Sequence, residues 1–395
     1  MTARQVKPNI YSVGAIDWDR RLFDSLIPLP HGTSYNAYLI KGSEKTALLD
    51  TVDPTKAQDL FDNLAELKVE KIDYVVIHHV EQDHSGCLPQ VLQRFPLAKV
   101  VTNARAKEMI KDHLLVADEK IIVVNDRETL SLGDRTLEFI LAPWVHWPET
   151  MFTYLKEDKV LFTCDFLGSH LATSDLFAGS WDEIVEGAKR YYAEIMMPFR
   201  TSIKQHLEAL KGYQFDLVAP SHGPIYNDPK PVLAAYTEWA SDLVKNEVVI
   251  AYVSMHGSTA EMVRHLTDAL VKRGLIVKQF DLPRTDVGEL AMALVDAATV
   301  VIGTPTVLAG AHPAAVYAAF LANALRPKMR FVSVLGSFGW GGKAVEQLAG
   351  LLTNLKVEII PPVIVKGYPK EADLKAIEAL AGGIYAKHQT LGIAK

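Results

Sequence analysis

Only two cysteines, Cys87 and Cys164, occur in 395 residues. Two thiols make no disulfide framework, and there is no Cys-x-x-Cys pair. Neither a rubredoxin-type iron site nor a cysteine-held iron–sulfur cluster can be assembled within the chain, and both cysteines read as small buried fillers. No run of about 18 apolar residues is present, so no membrane-spanning helix is expected. Arg4 and Lys7 near the start have no apolar stretch behind them, which does not read as a secretion signal. Basic residues are not in excess: 41 Lys and Arg stand against 47 Asp and Glu, a net charge of −6. That balance argues against nucleic acid as the main partner. Internal repeats and low-complexity stretches are also missing. What remains describes a cytoplasmic globular chain, and 49% apolar against 22% charged residues lets every part bury a core. At about 150 residues per domain, two or three domains are expected.

The pattern changes near residue 247. Before it, short strand-like runs such as Tyr74–His79, Thr136–Leu141, Val160–Thr163 and Leu217–Ala219 mix with helical stretches such as Thr55–Leu67, Trp181–Met197 and Val232–Lys245. That mixture predicts stacked sheets flanked by helices. After it, the strands Val248–Val253, Val277–Asp281, Thr299–Gly303, Phe331–Leu335 and Val357–Ile360 alternate with five helical stretches. Regular alternation predicts a doubly wound parallel sheet. The expected domains are 1–247 and 248–395.

In the first part, His79-Val80-Glu81-Gln82-Asp83-His84 leaves the end of an apolar strand. His146, Asp165 and His222 each follow another apolar run. One histidine at a strand end is usually structural. Four histidines with three carboxylates are harder to explain that way, because burying them unpaired is costly and a metal ion satisfies both their charge and their lone pairs. His78 falls outside the register and reads as structural. His170 reads either as a substrate-side or supporting group or as an ordinary histidine, and Trp147 as a pocket wall. This pattern resembles the metallo-β-lactamase superfamily motif His-x-His-x-Asp-His followed by distant His, Asp and His, with Glu81 in place of the second histidine. The added carboxylate shifts the donor set from zinc toward non-haem iron.

In the second part, Ser254-Met255-His256-Gly257-Ser258-Thr259 joins the strand Val248–Val253 to a helix. Hydroxyls and backbone N–H groups at such a turn form an anion site. The segment is neither Gly-x-Gly-x-x-Gly nor a Walker loop, and it resembles the flavodoxin phosphate loop for FMN. Two later strand ends, Thr304-Pro305-Thr306 and Gly336-Ser337-Phe338-Gly339-Trp340-Gly341, fall where a flavodoxin-like order places its ligand. Trp340 reads either as a flavin neighbour or as a core aromatic.

Together the two halves resemble the flavodiiron proteins, or A-type flavoproteins. Val13-Gly14-Ala15-Ile16-Asp17-Trp18 and Thr33-Ser34-Tyr35-Asn36-Ala37-Tyr38 take part in the resemblance. It implies a lactamase-like αββα sandwich fused to a flavodoxin-like sheet, two non-haem irons and one FMN. One iron would take His79, Glu81 and His146, the other Asp83, His84 and His222, with Asp165 bridging. The implied activity is reduction of O2 to water, of NO to N2O, or both. Electrons would come from outside the chain, from a rubredoxin-like protein or a reduced deazaflavin. A head-to-tail homodimer, or a dimer of such dimers, would bring FMN of one subunit to the irons of the other. Two other readings stand beside this one: a zinc hydrolase of the lactamase type, and an FMN electron-transfer module with an inactive metal site.

Overall fold

A computed structural model describes residues 2–395, and the chain forms two compact units, Met1–Ala240 and Ser241–Lys395. The first unit is built on two sheets. One carries the strands Arg4–Lys7, Ile10–Ser12, Tyr38–Lys41, Thr46–Leu49, Tyr74–Val76, Lys99–Thr102 and Ile121–Val123 in that spatial order, its last four parallel. The other carries Thr129–Ser131, Thr136–Leu141, Met151–Leu155, Val160–Cys164 and Leu217–Pro220, with only its last pair parallel.

Neighbouring residues on the first sheet serve different cores, because side chains alternate across a strand. Leu39, Leu48, Val75 and Val100 pack with Leu60 and Leu64 of the helix Ala57–Glu66 and with Ala106 and Ile110 of the helix Ala104–Leu114. Ile40, Leu49, Val76 and Val101 pack with Leu137, Phe139, Met151 and Phe162 of the second sheet. The outer face of that second sheet is closed by aromatic contacts. Phe152 stacks on Phe166, which meets Tyr236 edge-on from the helix Lys230–Ala240. The result is the αββα sandwich, with sheets buried on both faces and therefore nearly continuous apolar strands.

The second unit is a parallel sheet in the order Ile276–Asp281, Lys245–Tyr252, Ala297–Val307, Phe331–Phe338, and then two short pieces, Glu358–Ile359 and Val363–Lys366, on the same neighbour. In sequence terms the order is 2-1-3-4-5, the flavodoxin arrangement. Two local expectations are corrected. The helix expected over Val232–Lys245 ends at Ala240, and Lys245 already pairs with Ala297 as a strand residue. Lys245 is exposed, so the strand starts without an apolar signal. The last strand was expected at Val357–Ile360, but Pro361 and Pro362 interrupt it and its longer piece is Val363–Lys366. Proline has no N–H to donate to the ladder.

Candidate metal centre

The carboxyl ends of several strands of the first unit deliver the side chains. His79 follows Tyr74–Val76, Asp165 follows Val160–Cys164, and His222 follows Leu217–Pro220. Asp83 and His84 lie on the short helix Gln82–Ser85, with Glu81 just before it. Cys164 takes a left-handed backbone, φ +50°, immediately before Asp165. Such a conformation is costly away from glycine and clusters at functional sites.

Asp165 stands in the middle. Its Oδ2 lies 3.1 Å from His146 Nε2 and 3.5 Å from His79 Nε2. Its Oδ1 lies 3.0 Å from His84 Nε2 and 3.3 Å from His222 Nε2. Glu81 Oε2 is 3.1 Å from both His79 and His146. Asp83 reaches His84 at 3.3 Å and His222 at 3.2 Å through different oxygens. The side chains fall into two sets whose donor atoms lie within 4.8 Å of one another, His79–Glu81–His146–Asp165 and Asp83–His84–His222. All seven residues expected from the sequence are brought together.

The donor set fits metal ions. Close as they lie, both carboxylate oxygens of Asp83, both ring nitrogens of His84 and Oδ1 of Asp165 are buried and make no well-oriented hydrogen bond among the described residues, which is expensive unless a cation fills the gap. The proton equilibria point the same way. Burial works against charging His146, yet Asp165 and Glu81 raise it to about 9. Burial likewise opposes charging His222, and Asp165 and Asp83 raise it to about 10. Burial opposes ionising Glu81, but His146 and His79 hold its carboxyl well below the usual range. Protons are held where the carboxylates converge, and a divalent cation supplies the same charge with more bonds. Cys164 also lies within 4.8 Å of donor atoms of His84 and Asp165. Burial pushes its thiol well above the usual range, away from the thiolate that a metal takes.

Hydrogen bonds behind the ring set the tautomers. His222 Nδ1 donates to the carbonyl of Ser34 at 2.7 Å, leaving Nε2 free to bind. His79 Nδ1 donates to Glu149 Oε1 at 2.7 Å, with the same effect.

The second unit holds a cavity of about 270 Å³ at the carboxyl edge of its sheet. It is lined by Met255, His256, Ser258, Thr259, Pro305, Thr306, Ser337, Phe338, Gly339, Trp340 and Gly367. Gly257 caps the following helix at φ +88°, a conformation that favours glycine. Other expected residues shape the loops instead of lining this cavity. Ser254 Oγ accepts from Ala260 N at 3.1 Å. Thr304 is buried, donating to Pro305 O at 2.9 Å and accepting from His312 N at 3.0 Å. Gly336 and Gly341 line an adjoining depression. Trp340 is 91% exposed, which removes the core-aromatic alternative.

Residues 33–223 match the family model of an ODP family beta lactamase, and residues 250–379 match that of a flavodoxin. A nitric oxide reductase of Moorella thermoacetica is 37% identical over 97% of this chain and 98% of its own length. A coenzyme F420H2 oxidase of Methanothermobacter marburgensis is 30% identical over 90% of this chain and 91% of its own. The solved rubredoxin oxygen:oxidoreductase of Desulfovibrio gigas superposes with a TM-score of 0.94 at 32% identity, covering 98% of this chain and 99% of that one. The chain belongs to the flavodiiron proteins. It is an oxidoreductase of that family, with a lactamase-type metal domain and a flavodoxin domain.

Several residues of this flavodiiron site escape the sequence reading. Glu149 behind His79 is one. Tyr191 is another: it ends the helix Trp181–Tyr191, a π-helical turn follows at Tyr192–Met196, and its ring lies 5.6 Å from that of His222. Turns of this kind recur at functional sites. Asp24 sits on a hairpin tip at φ +50°. The residue stays exposed, and partial desolvation beside the charge of Glu81 raises its carboxyl to about 6. His170 is buried, its ring 5.2 Å from that of His222 and 4.8 Å from that of Tyr191. The run Thr33–Tyr38 gains a reason: Asn36 Nδ2 donates to Pro220 O and Gly223 O at 2.9 and 2.7 Å, and Tyr38 Oη donates to Pro220 O at 2.8 Å, so this segment clamps the His222 loop. The fifth flavodoxin loop, at Gly367, was hidden because the strand before it was expected several residues too early.

Proposed function

We propose that the chain reduces dioxygen to water, nitric oxide to nitrous oxide, or both, at two non-haem irons, with electrons arriving through FMN. The observation that carries this reading is Asp165, whose two oxygens divide between two histidine sets. His79, Glu81 and His146 would hold one iron, Asp83, His84 and His222 the other, and Asp165 would bridge them. Mixed histidine and carboxylate donors suit iron, and the third carboxylate, Glu81, opposes the zinc hydrolase reading. The complete ligand set opposes an inactive metal site.

When bound, the irons supply open positions and one electron each, and reduced FMN supplies two more. The electron demand is met: O2 takes four electrons and four protons to give two waters, and two NO take two of each to give N2O and water. The chain's own part is to hold the donors in place and to bury the centre. Tyr191 and His170 pack their rings on His222 and wall the centre from the helical side, and the charge of Asp24 acts on the Glu81 side.

In the flavodoxin domain, the turn Ser254–Thr259, together with Thr306 and Ser337–Trp340, would take FMN, the phosphate on the helix N-terminus. Relatives named for rubredoxin and for coenzyme F420H2 support a rubredoxin-like or deazaflavin donor. Exposed Trp340, Leu308 and Phe320 around this edge support a head-to-tail dimer. The reading keeps the chain in the cytoplasm, where its two unpaired thiols stay reduced.

The test is anaerobic purification with iron, zinc and flavin counted per chain, followed by O2 and NO consumption by the reduced protein. About two irons and one FMN with consumption of either gas is expected. Zinc without flavin points to the hydrolase, and flavin reduction without gas consumption to the electron-transfer module.

A further inference from the structure

The two halves of the metal centre are backed differently. His79 Nδ1 donates to a carboxylate, Glu149 Oε1, at 2.7 Å. On the other half, His222 Nδ1 donates to a neutral backbone carbonyl, Ser34 O, at 2.7 Å, and His84 Nδ1 has no hydrogen-bond partner among the described residues. Glu149 is 2% exposed. Its Oε1 also accepts from Val80 N at 3.0 Å, and its Oε2 is buried without a partner. A buried carboxylate with so few donors is costly unless positive charge lies close by. The His79 ring is the group that brings such charge to it, since its other nitrogen faces Glu81 at 3.1 Å and Asp165 at 3.5 Å.

An imidazole that donates to a carboxylate is a more basic ligand than one that donates to a carbonyl. The added electron density favours the higher oxidation state of the ion it binds.

We propose that Glu149 is a positioning residue that makes the two metal positions unequal. Acting through His79, it gives the position formed by His79, Glu81 and His146 the tighter hold on its ion and the lower midpoint potential. The inference rests on the reading that both donor sets carry iron.

The decisive variant is Glu149→Gln, which keeps the volume and one acceptor oxygen for His79 and Val80 but removes the charge. Ferrous affinity is read by chelator competition, and the two one-electron midpoints by a spectroscopically monitored redox titration. The tighter of the two affinities should weaken about 10- to 100-fold, with the weaker one unchanged. The lower midpoint should rise toward the upper one.

Asp50→Asn is the matched control. Asp50 Oδ2 accepts from His78 Nδ1 at 2.6 Å, but the other nitrogen of His78 faces Thr153 Oγ1 at 2.7 Å. That variant should lower thermal stability and leave both affinities and both midpoints in place. The wild type supplies a check that does not depend on any variant folding. Stripped to one ion per chain, it should retain that ion beside His79, located by anomalous diffraction.

Unchanged values in Glu149→Gln, equal changes at both positions, or a retained ion beside His222 would each overturn the inference while leaving the di-iron reading standing. A wild type that takes up no metal overturns that reading and the inference with it.

Discussion

Asp165 reaches His84 Nε2 with one carboxylate oxygen at 3.0 Å and turns the other oxygen to the opposite histidine set. One side chain thus belongs to both halves of the centre. Replacing it, Asp165→Ala, should empty both metal positions and lower gas consumption by at least about 100-fold, beyond what loss of a supporting partner costs. His146→Asn should empty one position only. Metal analysis with flavin quantified on the same sample checks this: equal metal loss in the two variants would refute the division of labour.

Asn36 clamps the His222 loop from nearly two hundred residues away. Asn36→Ala leaves the carbonyl of Gly223 without this donor, a loss of about 1–3 kcal/mol. For a domain of this size that lowers Tm by about 2–12 °C. Iron should be lost first from the position that includes His222. A melting curve and iron content for the variant test both; an unchanged Tm would show that the clamp contributes nothing.

Thr259 Oγ1 meets Ser337 Oγ at 3.1 Å, joining two loops of the flavodoxin cavity. Thr259→Val keeps the shape and removes the hydroxyl. In the proposed FMN site this hydroxyl would serve the phosphate, a bond contributing about 1.5–3 kcal/mol, so FMN affinity should fall about 10- to 150-fold. Fluorescence quenching on titrating FMN into flavin-free protein measures it, and iron content should not change.

His388 is buried in the second unit, its Nδ1 on Asn246 Oδ1 at 2.8 Å and its Nε2 on Thr299 Oγ1 at 2.7 Å. Asn246 accepts and Thr299 donates, so the neutral ring is fully paired. Burial lowers it from 6.5 to about 4. The unfolded chain therefore binds the extra proton first. Stability from this residue is complete above about pH 6.5 and is lost as pH falls toward 4, a difference of up to about 3 kcal/mol. His388→Gln should flatten the fall of Tm over that range relative to wild type. Identical slopes would rule the histidine out as the source.

The sequence and the structure meet most closely at strand ends. His79, Asp165 and His222 could be picked out because each follows an apolar run, and the buried strands of a sandwich leave such runs in the sequence. The alternation of strand and helix after residue 247 was legible for the same reason. The last strand was not, since two prolines split it into short pieces whose apolar runs are too brief to place.

The sequence by itself determined which seven residues are candidate metal donors, most of the loops at the flavodoxin edge, and the two-domain architecture. Strand ends, residue types and the resemblance to a family carry all three. Only the tertiary structure decided what stands behind those residues. Glu149 reaches His79 across 70 positions and Asn36 reaches Gly223 across 187. It also decided that the oxygens of Asp165 split between two histidine sets. Contacts of this kind depend on how separate strand ends pack against one another, and no pattern along the chain records that packing.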